Sequence, residues 1–352
     1  MKVLFVYRFL SLGGVETVLR ARLDGLDRWG IEAHAWFFRD LGGRTVFAGL
    51  EDRVHLGDPA DCRRFLDQGF DVVCSVDTEE VFPAFEAGRR RPRLVVECHT
   101  PYRENQEYLR RLGSCRPAGF FVPSHFQREV VLHRVGREAD VRVVPNPLRR
   151  AFVEEPAPFS APPPRPVVAW IGRMDELKNW QGFVRLAGLL ERHGPATEIW
   201  MAGGFGQKRG AALLSNRARR AGVLRRLRWF RNLPHARVPA FLDAVRDSGG
   251  VVVSTSRGES FGMTVAEAMA RGCAVAVPDR PPFTEFVEEG RTGSLFAPAS
   301  EEDAAARVAA LLADPALRTA YGRRAREAVL ARFAPEPALA ELAEALREVA
   351  GS

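Results

Sequence analysis

The sequence has no apolar run approaching the about eighteen residues that a membrane-spanning helix needs. It has no C-x-x-C pair, and its five cysteines (62, 74, 98, 115 and 273) are scattered and odd in number. That pattern argues against a disulfide framework and against a zinc site, and favours reduced thiols in a cytoplasmic protein. Cys74, Cys98 and Cys273 stand in apolar stretches and read as small core residues. The opening MKVLFVYRF carries one Lys and a short apolar run but lacks a small-residue cleavage site, so it reads as a first buried strand, not a signal peptide. The basic stretches lack an accompanying aromatic stacking platform or a recognised reader motif, which argues against nucleic acid as a partner.

What is present is a chain of 352 residues, 46% hydrophobic and 27% charged, the balance of a globular protein large enough for two domains. The formal charge of +7 favours anionic partners: nucleotides, phosphorylated acceptors or a membrane surface. Residues 207–231 hold nine Lys or Arg and no acid. The plain reading is a solvated arginine-rich helix face; the sharper one is a surface that meets a ligand or a membrane.

Along the chain, strands and helices alternate. Residues 2–7 read as a strand and 13–29 as a helix, joined by LSLGGVET with Gly13 and Gly14 at the turn and Glu16 just inside. Paired glycines allow close backbone approach to a phosphate but fall short of G-x-G-x-x-G, and such pairs are often purely conformational. IEAHAWFF (31–38), DVVCSV (71–76), LVVEC (94–98) and GFFVP (119–123) read as strands, and TEEVFPAFEAGRR (78–90) as a helix. Ser124 is placed to cap a helix over 125–136. This alternation predicts a parallel sheet with helices on both faces and ligand groups at the strands' carboxyl ends. His99 stands at such an end, before Pro101, with Tyr102 and Arg103 beyond it; Ser124 and His125 follow the next strand. Asn146 lies between two prolines that restrict the backbone.

EEPAPFSAPPPRP (154–166) is the best linker in the chain. It divides a first α/β domain (1–150) from a second (167–334), with a last helix over 335–352. VVAWIGR (167–173) begins the second series. Arg173 and Lys178 flank a turn where two cations could neutralise a diphosphate, although an ordinary basic loop has the same composition. EIWMAGGFG (198–206) is a strand running into Gly203, Gly204 and Gly206. LRWF (227–230) reads as a strand, with Arg231 after it and a helix from about His235. VVVS (251–254) reads as a strand, then a tight turn Glu259-Ser260-Phe261-Gly262, then a helix from Met263 and Thr264 that ends at Gly272. The helix entrance suits an anion. Glu259 and Glu267 flank it; taken alone, they read as a turn cap and a solvated helix residue.

The stretch ESFGMTVAE resembles the E-x7-E element of the retaining glycosyltransferases of family 4 (glycosyl transferases group 1), and the likeness extends over the whole chain, most specifically its second half. It implies the GT-B fold: two Rossmann-like doubly wound α/β domains facing across a cleft, with the final helix crossing back to the first domain. The resemblance implies that Glu259 contacts the donor sugar, Glu267 the ribose, and the backbone of Phe261, Gly262, Met263 and Thr264 the sugar and phosphate. IGRMDELKNW is similar to G-R-x-x-x-x-K-G, which gives Arg173 and Lys178 the donor phosphates; Asn179 replaces the family's Gly. His99 becomes a strand-end histidine directed at the sugar, Gly13 and Gly14 the loop over the diphosphate, Gly203 a nucleotide-side turn, and Arg231 a neighbour of the base. Asn146 matches a hinge motif in which Pro147 replaces the usual Gly.

The implied reaction is a metal-independent, same-face transfer of a sugar from a UDP- or GDP-sugar to an acceptor hydroxyl, with no cofactor. No Asp-x-Asp pair stands at a strand end, and Arg and Lys supply the cations. The acceptor itself is open; the basic charge favours an anionic or membrane-proximal one, with the protein peripheral to the inner face of the membrane. Three alternatives remain: a non-catalytic nucleotide-sugar-binding subunit, a phosphorylase, and a nucleotide-sugar epimerase of similar architecture.

Overall fold

The computed structural model describes residues 1–86, 92–154, 163–193, 196–205 and 210–351. Gly206, the start of the basic stretch, most of the proline-rich linker and the end of the helix expected over 78–90 lie outside the described residues. Two units emerge: Met1–Arg150 with Arg332–Ser352, and Ala151–Ala331.

In the first unit the strands are β1 (Lys2–Leu10), β2 (Glu32–Asp40), β3 (Val54–Leu56), β4 (Val72–Val76), β5 (Arg93–Glu97), β6 (Gly119–Val122) and β7 (Val141–Val143). They form one sheet in the order β3-β2-β1-β4-β5-β6-β7, every neighbouring pair parallel. Its helices are α1 (Gly14–Gly25), α2 (Pro59–Leu66), α3 (Val81–Glu86) and α4 (His125–Val135). The central strands read as continuous apolar runs because both faces are covered. Phe5, Val72 and Val95 face a cluster with Leu19 and Leu23 of α1, whereas Leu4, Val73 and Val96 face another with Leu66 and Val131. Ser124 caps α4: its hydroxyl accepts from the Gln127 N–H at 3.0 Å.

The second unit repeats the plan with β8 (Val167–Ile171), β9 (Glu198–Ala202), β10 (Leu227–Phe230), β11 (Val251–Val253), β12 (Ala274–Pro278) and β13 (Ser294–Phe296). Their order is β10-β9-β8-β11-β12-β13, again parallel throughout. Its helices are α5 (Trp180–His193), α6 (Gly210–Arg220), α7 (Val238–Asp247), α8 (Met263–Ala270), α9 (Glu301–Ala313) and α10 (Pro315–Phe333), the last ending in the first unit's closing segment.

The last helix, α11 (Pro335–Gly351), belongs to the first unit. Leu339, Leu342, Leu346 and Val349 are buried with Val3 and Phe5 in one cluster. Gly25 permits this: a Cβ there would lie 2.3 Å from Leu339 Cδ1. The strand order reverses direction beside β1 and β4 in one sheet, and beside β8 and β11 in the other. Ligands in such sheets bind outside the carboxyl ends at these reversals. All five cysteines are buried, and none is in a disulfide.

Candidate functional site

In the second unit, the loops after β8 and β11 are stitched together at the reversal. The Arg257 N–H donates to Leu177 O at 2.7 Å, the Thr255 hydroxyl to Asn179 O at 2.9 Å, and the Ser256 hydroxyl to Leu177 O at 3.2 Å. The Lys178 N–H donates to Asp175 at 2.8 Å. Asn179 takes a positive φ of 50° and its side chain accepts the Gly182 N–H at 3.2 Å, closing the entrance to α5. This tolerance of left-handed backbone is why Asn can stand where a Gly would be expected. The loops bring the Lys178 ammonium to 2.5 Å from Glu259 Oε1. Glu259 is buried and Lys178 partly so, whereas Arg173 is exposed at the rim, 3.4 Å from Asp175.

Gly262 follows directly, with φ +98°, and no side chain caps α8 behind it. A Cβ at Gly262 would also meet the Phe283 ring at 2.9 Å, so both backbone and space demand glycine. Phe261 is buried and stacks on Phe286 at 5.7 Å, which holds the turn against the body of the unit. The N–H groups of Met263 and Thr264 belong to the first turn of α8 and have no acceptor within the helix, so the entrance presents donors and the positive end of the helix dipole. Inside α8, Glu267 is buried at 4% exposure, 3.4 Å from His235 Nε2. Glu267 is therefore not the solvated helix residue that its type alone suggests.

Gly203, φ +138°, ends β9 where the backbone of Gly172 passes; a Cβ would stand 1.8 Å from Gly172 O. Trp229 Nε1 donates to Gly203 O at 2.8 Å, and the Arg231 guanidinium lies 5.9 Å from the Trp229 ring. Arg231 is exposed beside this turn.

In the first unit the β1–α1 turn is closed by Glu16. Its carboxylate accepts the Ser11 N–H at 2.7 Å and also the Ser11 hydroxyl. Burial pushes the Glu16 carboxyl above its ordinary value, against the opposing hydrogen bonds from Ser11. A Cβ at Gly13 would come within 2.6 Å of Glu16 Oε2, so Gly13 makes room for this acid; Gly14 stands in open space.

Across the reversal, Asp77 at the end of β4 takes a positive φ of 45° and accepts the N–H groups of His99 and Thr100 at 2.9 and 3.2 Å. Burial raises the Asp77 carboxyl. At the end of β5, Glu97 is wholly buried and meets Arg22 of α1, whose Nη1 lies 2.9 and 2.8 Å from its two oxygens. Glu97 Oε2 is also 2.8 Å from His99 Nε2. Burial alone would raise the Glu97 carboxyl; the Arg22 charge and the His99 hydrogen bond outweigh it and hold it at about 2.

The second unit thus gathers Arg173, Lys178, Glu259, Gly262, Met263 and Thr264 around the end of one sheet, with Glu267 deeper in α8 and Gly203 and Arg231 beside β9. The first unit places Gly13, Gly14 and His99 at its own strand ends. Sequence reasoning missed Arg22, Asp77, Glu97 and His235. A signal was present for Glu97, a lone acid in the apolar LVVEC, whereas Arg22 shares its stretch with Arg20 and does not stand out. Among the described residues no group of three or more His, Cys, Asp or Glu is arranged to hold a metal ion.

Two parallel Rossmann-like sheets of this order define the GT-B class of fold. The solved structure of Anabaena Alr3699/HepE with UDP and glucose superposes with a TM-score of 0.85 over 99% of this chain and 100% of that one, at 19% identity. The chain belongs to the glycosyl transferases group 1 family, whose sequence model matches residues 153–328, and the Glycosyltransferase Family 4 model matches 12–151. Among curated relatives it is similar to the lipopolysaccharide core biosynthesis mannosyltransferase LpcC of Rhizobium leguminosarum bv. viciae, 42% identical over 84 residues, 24% of each chain. It is also similar to a sucrose synthase of Acidithiobacillus caldus, 29% identical over 238 residues, 65% of this chain and 28% of that protein. The matched segments therefore span about a quarter of those relatives' length.

Proposed function

We infer that this protein is a glycosyltransferase that moves a hexose from a UDP- or GDP-sugar to an acceptor hydroxyl, with retention of configuration and without a metal. The observation that carries this reading is the Lys178–Glu259 pair at the reversal of the second sheet, beside the uncapped entrance of α8. An ammonium has three donors, so Lys178 can keep Glu259 and still reach a phosphate oxygen. Glu259, an acceptor, is then left facing sugar hydroxyls. Arg173 and the first-turn N–H groups of α8 add positive charge where the departing phosphate becomes more negative. A preorganised donor of this kind contributes about 3 kcal/mol to the transition state. Glu267 offers acceptors for ribose, and Arg231 with Gly203 lines the side of the base. In the first unit, His99 holds a hydroxyl of the substrate, and the strand-end loops select the acceptor.

The step is a displacement in which the acceptor oxygen bonds the anomeric carbon as the bond to the diphosphate breaks on the same face. The acceptor proton passes to the leaving phosphate. The two carboxylates do not form a glycosidase pair, because Glu267 lies inside α8 and is engaged by His235. The relatives favour hexose donors: HepE is solved with UDP and glucose, and LpcC is a mannosyltransferase. LpcC also favours an acceptor of the cell envelope. The test is incubation with a panel of UDP- and GDP-hexoses, with release of nucleoside diphosphate as the readout and product anomers read by NMR. No release from any donor would overturn the reading, and an inverted anomer would overturn retention.

A further inference from the structure

The proposed function assigns His99 to a substrate hydroxyl but leaves open which ring nitrogen does the work and whether it gives or takes a hydrogen bond. The groups around it decide this. Glu97 is wholly buried, and Arg22, also buried, binds both of its oxygens. Arginine has only donors and keeps its charge. Beside that guanidinium Glu97 is ionised, and an ionised carboxylate only accepts. The contact of 2.8 Å between Glu97 Oε2 and His99 Nε2 therefore needs the hydrogen on Nε2. A neutral imidazole has one N–H and one lone pair, so the lone pair falls on Nδ1. Among the described residues no hydrogen bond engages Nδ1. The other polar groups packed here do not compete for the ring. Asp77 takes the His99 and Thr100 backbone N–H groups and the Tyr108 hydroxyl, and Tyr108 also reaches Glu97 O at 2.9 Å.

We propose that Glu97, anchored by Arg22, is a positioning residue that holds the hydrogen of His99 on Nε2, so that Nδ1 is the lone-pair side of the ring and accepts a hydrogen bond from a substrate hydroxyl. The inference rests on the assignment of His99 to the substrate. It has a consequence for specificity: the ligand group opposite His99 must be a donor. A hydroxyl satisfies that demand, while hydrogen cannot bond and fluorine can only accept. A keto or fluoro substituent at that position is refused because it brings a lone pair against a lone pair.

Two measurements test this. The first uses the unaltered protein labelled with 15N-histidine, the His99 resonances being assigned by comparison with His99→Ala. Long-range 15N–1H correlation distinguishes the neutral tautomers directly. The expected result is Nε2 protonated and Nδ1 bare; Nδ1–H would overturn the proposal. The second uses mono-deoxy and mono-fluoro analogues of whichever sugar substrate the protein turns over. At one ring position both replacements should lower kcat/KM by about tenfold or more, fluorine at least as much as hydrogen, because neither can donate and fluorine also sets a lone pair against Nδ1. The variant Arg22→Met/Glu97→Leu removes the buried pair together, which leaves no orphaned charge in the core. In that variant Nε2 has no acceptor, the tautomer preference should vanish, and the penalty for fluorine should shrink about tenfold relative to that for hydrogen. A merely structural role for Glu97 would lower stability without changing the ratio of the two analogues. An unchanged ratio would therefore sink the proposal. So would parent-like turnover by His99→Ala, though that result would leave glycosyl transfer itself standing. Failure of the parent to turn over any donor, with Nε2–H observed, would instead remove the proposed reaction and keep the positioning.

Discussion

Lys178 and Glu259 hold each other before any ligand arrives, and this sets what each substitution should do. Lys178→Ala removes a charge that matters most as the phosphate departs, so kcat should fall about 100-fold with a smaller change in KM. Glu267→Ala should instead weaken nucleotide binding about tenfold, measured by titration calorimetry, because a charge-assisted hydrogen bond is lost. If Glu267→Ala bound nucleotide like the parent, its placement at ribose would be wrong. A different residue governs acid sensitivity. His55 on β3 lies 3.1 Å from His34, and burial, then the His34 charge, pushes it down from 6.5 to about 4. A base weakened by folding takes up its proton more readily when unfolded. Its contribution is thus fully present above pH 6.5 and is lost as pH falls from there through 4. After allowance for solvent screening the loss is about 1–2 kcal/mol. Urea titrations at about pH 7.5 and about pH 4.5 should show this difference, and His55→Phe should flatten it. At this scale the sequence revealed the residues on exposed loops with a spacing, such as Arg173 and Lys178. It concealed Arg22 and Glu97, whose meeting depends on packing α1 against the end of β5, which no local pattern encodes.

Elements were legible in proportion to their length and burial. The central strands announced themselves as β-branched apolar runs, and α8 by its Gly at each end. The strands that escaped, β3, β7 and β13, have three residues each and sit at sheet edges, too short for a periodic pattern to show. The same scale explains two stability predictions. Gly203→Ala would force a side chain into a left-handed backbone and against Gly172 O, at a cost of about 3 kcal/mol by urea unfolding. Because the ends of β8 and β9 meet there, nucleotide affinity should fall with it. Ser124→Ala would remove the cap of α4 and cost about 1 kcal/mol with no effect on nucleotide affinity. Should Gly203→Ala be as stable as the parent, the close approach of β8 and β9 would not be a constraint.

At the scale of the molecule, alternation in the sequence implied parallel sheets, but the order of strands is set by right-handed crossovers and burial, and it emerged only in three dimensions. Two units with separate cores should melt as two calorimetric transitions. UDP or GDP should raise only the transition of the 151–331 unit, by the equivalent of about 2.7 kcal/mol at about a hundred times Kd. A nucleotide that raised only the other transition would place the donor site in the wrong half. The location of α11 carries a consequence for biosynthesis. The early half of the chain lacks Leu339, Leu342 and Leu346 until the ribosome has made them, whereas residues 151–331 have their partners sooner. The order of maturation is therefore reversed relative to the order of translation. Truncated chains ending near residue 331 and released from the ribosome should shield the later half from protease while the earlier half is still digested.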